Sequence, residues 1–179
     1  MDRADLASRI YATAHLTGQF TLRSGVVSEH YFDKYRFEAD PQLLADIVAA
    51  MAELVPAVDA LDALAGLELG GVPLVTLLSQ RTGLPARFVR KQAKTYGTCQ
   101  LAEGGDIAGL RVLIVEDVVT SAGAVLDAIN ELRQLDAHIV GAMCVIDREA
   151  GGAANLQQVG VSLTSLFSMS ELDAAASRR

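Results

Sequence analysis

Two segments of this chain are apolar at successive positions rather than at alternate ones: "VLIV", residues 112–115, and "IVGAMCVI", residues 139–146. A strand with one buried face alternates. A run that is apolar on both sides of the pleat belongs to a sheet covered on both faces, and helices supply the cover. Helical spacing falls where that architecture needs it. "PQLLADIVAAMAELV", residues 41–55, carries Leu43, Leu44, Ile47, Val48, Met51, Leu54 and Val55 on one stripe, with Asp40 placed to cap it and Pro41 in its first turn. "VPLVTLLSQRT" stops at Gly83, and "AVLDAINELRQL" spaces Val125, Leu126, Ile129 and Leu132 helically. From residue 60 the predicted strands are 60–66, 86–89, 111–116, 138–147 and 161–167, with helices between most of them. A long polar loop fills 90–109, a loop with a short helical turn follows residue 147, and the capping box "SMSE" opens a last helix. Strands alternating with helices predict an α/β fold around a mostly parallel sheet.

The first forty residues differ. A helix over 5–14 places Leu6, Ile10 and Ala14 on one face, and "GQFTLRSG" and "SEHYFDKYRF" read as a short strand pair. With 179 residues, half of them apolar, the chain can bury one sizeable core, and no linker or repeat divides it, so residues 1–179 are expected to form a single domain. No apolar run reaches membrane-spanning length and "MDRADLASRI" is charged rather than signal-like, which predicts a cytoplasmic protein with no membrane partner. Cys99, Cys144, His15, His30 and His138 make no metal or disulfide spacing and read as packing or surface residues.

A net charge of −7 argues against nucleic acid as a partner. The cations are unevenly placed, however. Of the three lysines, two fall in "RKQAK", residues 90–94, with Arg87 just upstream. A local cationic patch on an acidic chain suits a small anionic ligand.

The second half of that ligand is written in "VLIVEDVVTSAG", residues 112–123. Glu116 and Asp117 stand at the carboxyl end of a buried strand, where open α/β sheets bind ligands, and burying them costs free energy unless something binds them. Thr120, Ser121, Ala122 and Gly123 are small and a helix follows, so backbone N–H groups and a helix N-terminus can close around a phosphate. The Gly-Lys-Ser/Thr ending of a Walker A loop is absent, as is a G-x-G-x-x-G. Carboxylates beside a phosphate repel it, so their own partners are sugar hydroxyls or a bound Mg²⁺. A sugar phosphate satisfies both halves.

This strand–acid–acid–loop–helix order resembles the phosphoribosyl diphosphate (PRPP) motif of type I phosphoribosyltransferases. Within that superfamily, "GQFTLRSG", "YFD", "RKQAKTYG" and "DREAGG" are similar, in order, to motifs of the orotate phosphoribosyltransferases, so the resemblance spans residues 18–152. It implies a type I phosphoribosyltransferase-like fold, with residues 1–40 as a small hood and 41–179 as the core. It also implies Mg²⁺-dependent transfer of a ribosyl 5-phosphate from PRPP to orotate, giving orotidine 5-phosphate and pyrophosphate in pyrimidine (UMP) biosynthesis. By position, Glu116 and Asp117 would hold the ribose hydroxyls, with Asp117 and Lys94 as catalytic residues. Val118, Val119, Thr120, Ser121, Ala122, Gly123 and Ala124 would surround the 5-phosphate. Arg23, Arg90, Lys91, Lys94 and Tyr96 would face the diphosphate. Tyr31, Phe32, Thr120 and Arg148 would form the orotate site. No residue is assigned as a direct metal ligand, since Mg²⁺ would arrive mainly through PRPP. The resemblance further implies a homodimer in which the basic loop reaches into the neighbour's site.

The chain departs from the family pattern at four places. Gly70 stands where many members carry lysine, Arg23 replaces a lysine, Tyr96 replaces a common histidine, and Ala122 and Ala124 stand where glycine and a hydroxyl residue are frequent. Two other functions stay open on the residues. A transferase for another base would keep the PRPP motif but lack "TLRSG" and "RKQAKTYG" as a set. A nucleotide-sensing regulator on the same fold would show a DNA-binding element or a basic face, and this chain shows neither.

Overall fold

The computed structural model describes residues 2–21, 25, 27–92 and 101–177. Among these residues the main sheet contains β3 (Ala63–Leu67), β4 (Ala86–Val89), β5 (Ala102–Glu103), β6 (Arg111–Val119), β7 (His138–Asp147) and β8 (Leu163–Ser168), in the order β5-β4-β3-β6-β7-β8. All neighbours are parallel except β5, which runs antiparallel to β4. A separate antiparallel hairpin joins β1 (His15–Thr21) to β2 (Val27–Phe32).

The helices are α1 (Arg3–Ala14), α2 (Lys34–Ala39), α3 (Pro41–Ala52), α4 (Gly71–Thr82), α5 (Gly123–Gln134), α6 (Gly152–Gln158) and α7 (Met169–Ala176). The continuous apolar run of β6 divides between two cores, as a doubly covered strand must. Leu113 and Val115 join Ile10, Ile47, Met51, Leu74, Leu78 and Leu172 beneath α1, α3, α4 and α7. Val112 and Ile114 join Val125, Ile129, Leu132 and Leu156 beneath α5 and α6. Each such aliphatic side chain, fully buried, contributes about 1.5–3 kcal/mol.

Four local features differ from the sequence-based expectation. Residues 34–37, expected as the end of a strand, instead begin α2, because the Asp33 side chain caps the turn by accepting from Tyr35 N and Phe37 is buried underneath. α3 stops at Ala52, which leaves Leu54 exposed. β6 continues past Glu116 to Val119, because β7 pairs with it along that length through Val118↔Ile146 and Val119↔Asp147. A short strand, β5, forms within the expected loop 90–109 and pairs along the outer side of β4. The capping box of Ser168 and Glu171 at the start of α7 is formed as expected. Among the described residues no helix is long and apolar enough to cross a membrane.

Candidate active site

The two acids of β6 lie at the carboxyl end of the sheet, and both are buried, Asp117 completely. They do not stand alone. Lys34, the first residue of α2, donates to Asp117 Oδ1 at 2.9 Å and lies 2.6 Å from Oδ2. Glu38, one turn along the same helix, faces the same carboxylate. On the remaining side sits Gly70, so close that a Cβ there would overlap the Asp117 carboxylate and crowd Glu38 Oε1.

The charges in this cluster follow from burial and contact. Burial raises the Glu116 and Glu38 carboxyls well above the ordinary carboxylate range, and the adjacent Asp117 raises both further. Burial also works against ionised Asp117, but hydrogen bonds with Glu116 and Lys34 and the Lys34 charge outweigh it, so Asp117 is lowered. Desolvation is the largest single effect on Lys34 and lowers it, but the bond to Asp117 together with the Asp117 and Glu116 charges outweighs it, so Lys34 is raised. As carboxylates, Glu38 Oε1, Glu116 Oε2 and Asp117 Oδ2 would be buried with no hydrogen-bond donor among them. A proton on Glu38 or Glu116 would supply a donor, and the Lys34 ammonium lies 2.6 Å from Asp117 Oδ2. Asp117 is thus the most acidic group of the cluster, and Lys34 is the cation bonded to it. The cluster presents oxygen atoms that suit sugar hydroxyls.

Directly beyond, Thr120 and Ser121 are exposed, Ala122 adopts φ 63° in the left-handed region, and α5 begins at Gly123 with no side chain capping its N-terminus. Its first N–H groups are therefore open to an external acceptor such as phosphate. The loop is braced from beneath. A Cβ on Gly152 would overlap the Thr120 carbonyl and the Val119 side chain. Asn155 Nδ2 donates to Ser121 O at 3.1 Å, and Arg148 N donates to Val119 O at 2.8 Å.

Tyr31, Phe32 and Arg148, far apart in sequence, line one cavity of about 350 Å³ together with Tyr11, His15 and His30. The Arg148 guanidinium lies 5.9 Å from the centre of the Phe32 ring, and His15 stacks between Tyr11 and His30 at 4.7 and 5.1 Å. An aromatic wall with a cation on it suits a flat, anionic ring. Arg90 and Lys91 line a second cavity of about 220 Å³ with Glu68 and Ala124, which brings those two cations beside the start of α5. Arg23, Lys94 and Tyr96 lie outside the described residues, as does Cys99.

Sequence reasoning missed Lys34, Glu38, His15 and His30. Lys34 had a usable signal: it is the third of three lysines, and scarcity had already marked the other two. The histidines had none, because their stacking depends on pairing in the hairpin and on α1.

A model of the phosphoribosyl transferase domain matches residues 36–165. A protein from Nocardioides sp. named orotate phosphoribosyltransferase is 53% identical over 172 residues, which cover 96% of this chain and 95% of that protein. Its namesake from Methanocella arvoryzae is 45% identical over 155 residues, 87% of each chain. The crystal structure of Mycobacterium tuberculosis orotate phosphoribosyltransferase in complex with PRPP superposes with a TM-score of 0.81 at 30% identity, over 97% of this chain and 99% of that one. Fold and site thus define a type I phosphoribosyltransferase. Within that class, the chain belongs to the orotate phosphoribosyltransferase family.

Proposed function

We propose that this site transfers a ribosyl 5-phosphate from PRPP to N1 of orotate, releasing pyrophosphate and forming orotidine 5-phosphate for pyrimidine biosynthesis. The observation that carries the proposal is the adjacency of the two halves. The buried acids and the open N-terminus of α5 lie at one end of β6, and the Arg148–Phe32–Tyr31 cavity is fastened to that end through Arg148 N and Val119 O.

In this reading Glu116 and Asp117 take the ribose hydroxyls and residues 120–124 surround the 5-phosphate. Arg148 pairs with the orotate carboxylate while Tyr31 and Phe32 hold the ring. Breaking the bond to the leaving group puts positive charge on the ribose carbon and negative charge on the diphosphate, so cations at the diphosphate matter more than a nucleophile. Arg90 and Lys91 line the cavity beside the start of α5, together with Glu68, Asp127 and Glu131, and their proximity to that helix end supports assigning them to the diphosphate. Arg23, Lys94 and Tyr96 are assigned to the same anion from their motifs alone.

Among the described residues no group of three His, Cys, Asp or Glu side chains is arranged to close around a metal ion. In the proposed reading Mg²⁺ would keep water and substrate phosphate oxygens as most of its ligands. Mg²⁺ carried by PRPP would neutralise charge developing on the departing diphosphate.

The assembly is proposed to be a homodimer in which the basic loop of residues 90–106 serves the partner's diphosphate, as the family resemblance implies. Pyrophosphate release measured with PRPP, Mg²⁺ and a panel of bases tests the substrate assignment. Orotate is expected to be fastest, and faster release with hypoxanthine, guanine, adenine or uracil overturns it.

A further inference from the structure

Lys34 lies outside the loop in which the chain concentrates its lysines, yet it reaches the most deeply buried acid of the site. It follows the hairpin strand that carries Tyr31 and Phe32, so its backbone belongs to the base side while its ammonium belongs to the sugar side. The pair is asymmetric. Asp117 has no exposed side-chain surface, while Lys34 keeps 32% of its own. Gly70 and Glu38 close on Asp117 from other directions. Without the ammonium, three carboxyl groups face one another in a buried space, and the Asp117 carboxylate has lost the cation bonded to it. A buried ionised acid left in that condition takes up a proton or turns away. Either change removes the oriented acceptor that a sugar diol requires.

We propose that Lys34 is a positioning residue for the sugar-phosphate half of the reaction, acting through Asp117 by holding its carboxylate in the orientation that receives the ribose hydroxyls. The inference rests on the ribose-binding reading of Asp117 given above. It assigns a role at the sugar to the element that also carries the base pocket, so α2 couples the hairpin to the core.

A double-mutant cycle tests it, with kcat/KM for PRPP and KM for orotate measured on the intact protein carrying Lys34→Met, Asp117→Asn, both or neither. Lys34→Met is expected to lower kcat/KM for PRPP about tenfold or more, as loss of a charge-assisted hydrogen bond does, and to leave the orotate KM within about twofold. Lys34→Arg recovers most of the loss. In the Asp117→Asn background, Lys34→Met is expected to cost less than about twofold, because residues acting as one unit are not additive. A role confined to supporting the fold carries the same penalty into both backgrounds, and that result overturns the proposal. An orotate KM that moves as far as the PRPP value overturns it as well. If Asp117→Asn leaves kcat/KM for PRPP unchanged, the ribose-binding reading fails and the proposal with it. Additivity on an impaired Asp117→Asn enzyme removes the proposal alone. Should Lys34→Met not fold, Lys34→Met with Glu38→Gln takes its place in the cycle, since that pair removes the facing carboxyl along with the cation.

Discussion

Arg148 donates its backbone N–H to the Val119 carbonyl at 2.8 Å, and this bond ties the rim of the aromatic cavity to the strand end from which the phosphate loop departs. The two candidate subsites therefore meet where β6 and β7 run side by side, paired there through Val119↔Asp147. Geometry at one pocket depends on packing at the other.

Gly152 is where that packing is tightest. A methyl group there meets the Thr120 carbonyl and the Val119 side chain, both in the floor of the phosphate loop. Gly152→Ala is expected to cost about 1–3 kcal/mol of stability, the usual range for overpacking, and to lower Tm by several degrees. It should also raise KM for PRPP more than KM for orotate. A variant with unchanged Tm and unchanged KM for PRPP shows that the loop does not rest on Gly152.

The acid cluster predicts a pH dependence with a definite sign. Glu116 is raised in the folded state above its ordinary value of 4.5, so between about pH 5 and 8 the folded chain keeps a proton that the unfolded chain releases. Glu38 behaves in the same way. Stability contributed by these groups is lost as pH rises through that window toward the folded-state pKa. Asp117 is lowered, so its contribution is present above its ordinary value of 3.8 and is lost as pH falls through the folded pKa. Glu116→Gln carries no proton to retain. Its Tm relative to the parent is expected to be more favourable at pH 8 than at pH 5, while turnover falls. A Tm difference that does not change with pH, or changes in the opposite direction, contradicts the raised Glu116.

The dimer proposal has an arithmetic test. Impaired Lys94→Ala chains are mixed with impaired Asp117→Asn chains and allowed to exchange, and activity above that of either parent is measured. If each site takes its loop from the neighbour, a mixed dimer has one site with both defects and one with neither. Random exchange makes about half of the dimers mixed, so recovery approaches roughly a quarter of wild-type sites. Verified exchange without recovery places both residues in the site of one chain.

Much of this architecture was legible in the residues. The two-faced apolar runs of β6 and β7 required cover on both sides, and the acids with the small-residue loop marked the carboxyl end of the sheet as the site. Residues 34–37 were misread because Tyr35 and Phe37 suggested a strand, whereas the Asp33 cap and the burial of Phe37 against the core make a helix that runs on to Ala39. That one error also hid Lys34 and Glu38. Only on a helix do residues four apart point to the same acid. The extension of β6 to Val119 was invisible for another reason: it depends on how far β7 runs beside it.

The central claim is that Arg148 serves the base and Asp117 serves the sugar phosphate, and a crossed kinetic comparison tests it most directly. Steady-state constants for both substrates are measured on Arg148→Ala and Asp117→Asn under identical conditions. Loss of a charge-assisted pair is worth roughly 1.5–3 kcal/mol, or about 10- to 100-fold. Arg148→Ala is predicted to raise KM for orotate by that factor with KM for PRPP little changed. Asp117→Asn is predicted to reduce kcat/KM for PRPP by a similar factor with KM for orotate little changed. If the two variants shift both substrates equally, or in the reverse pattern, the division of the site between these residues is wrong.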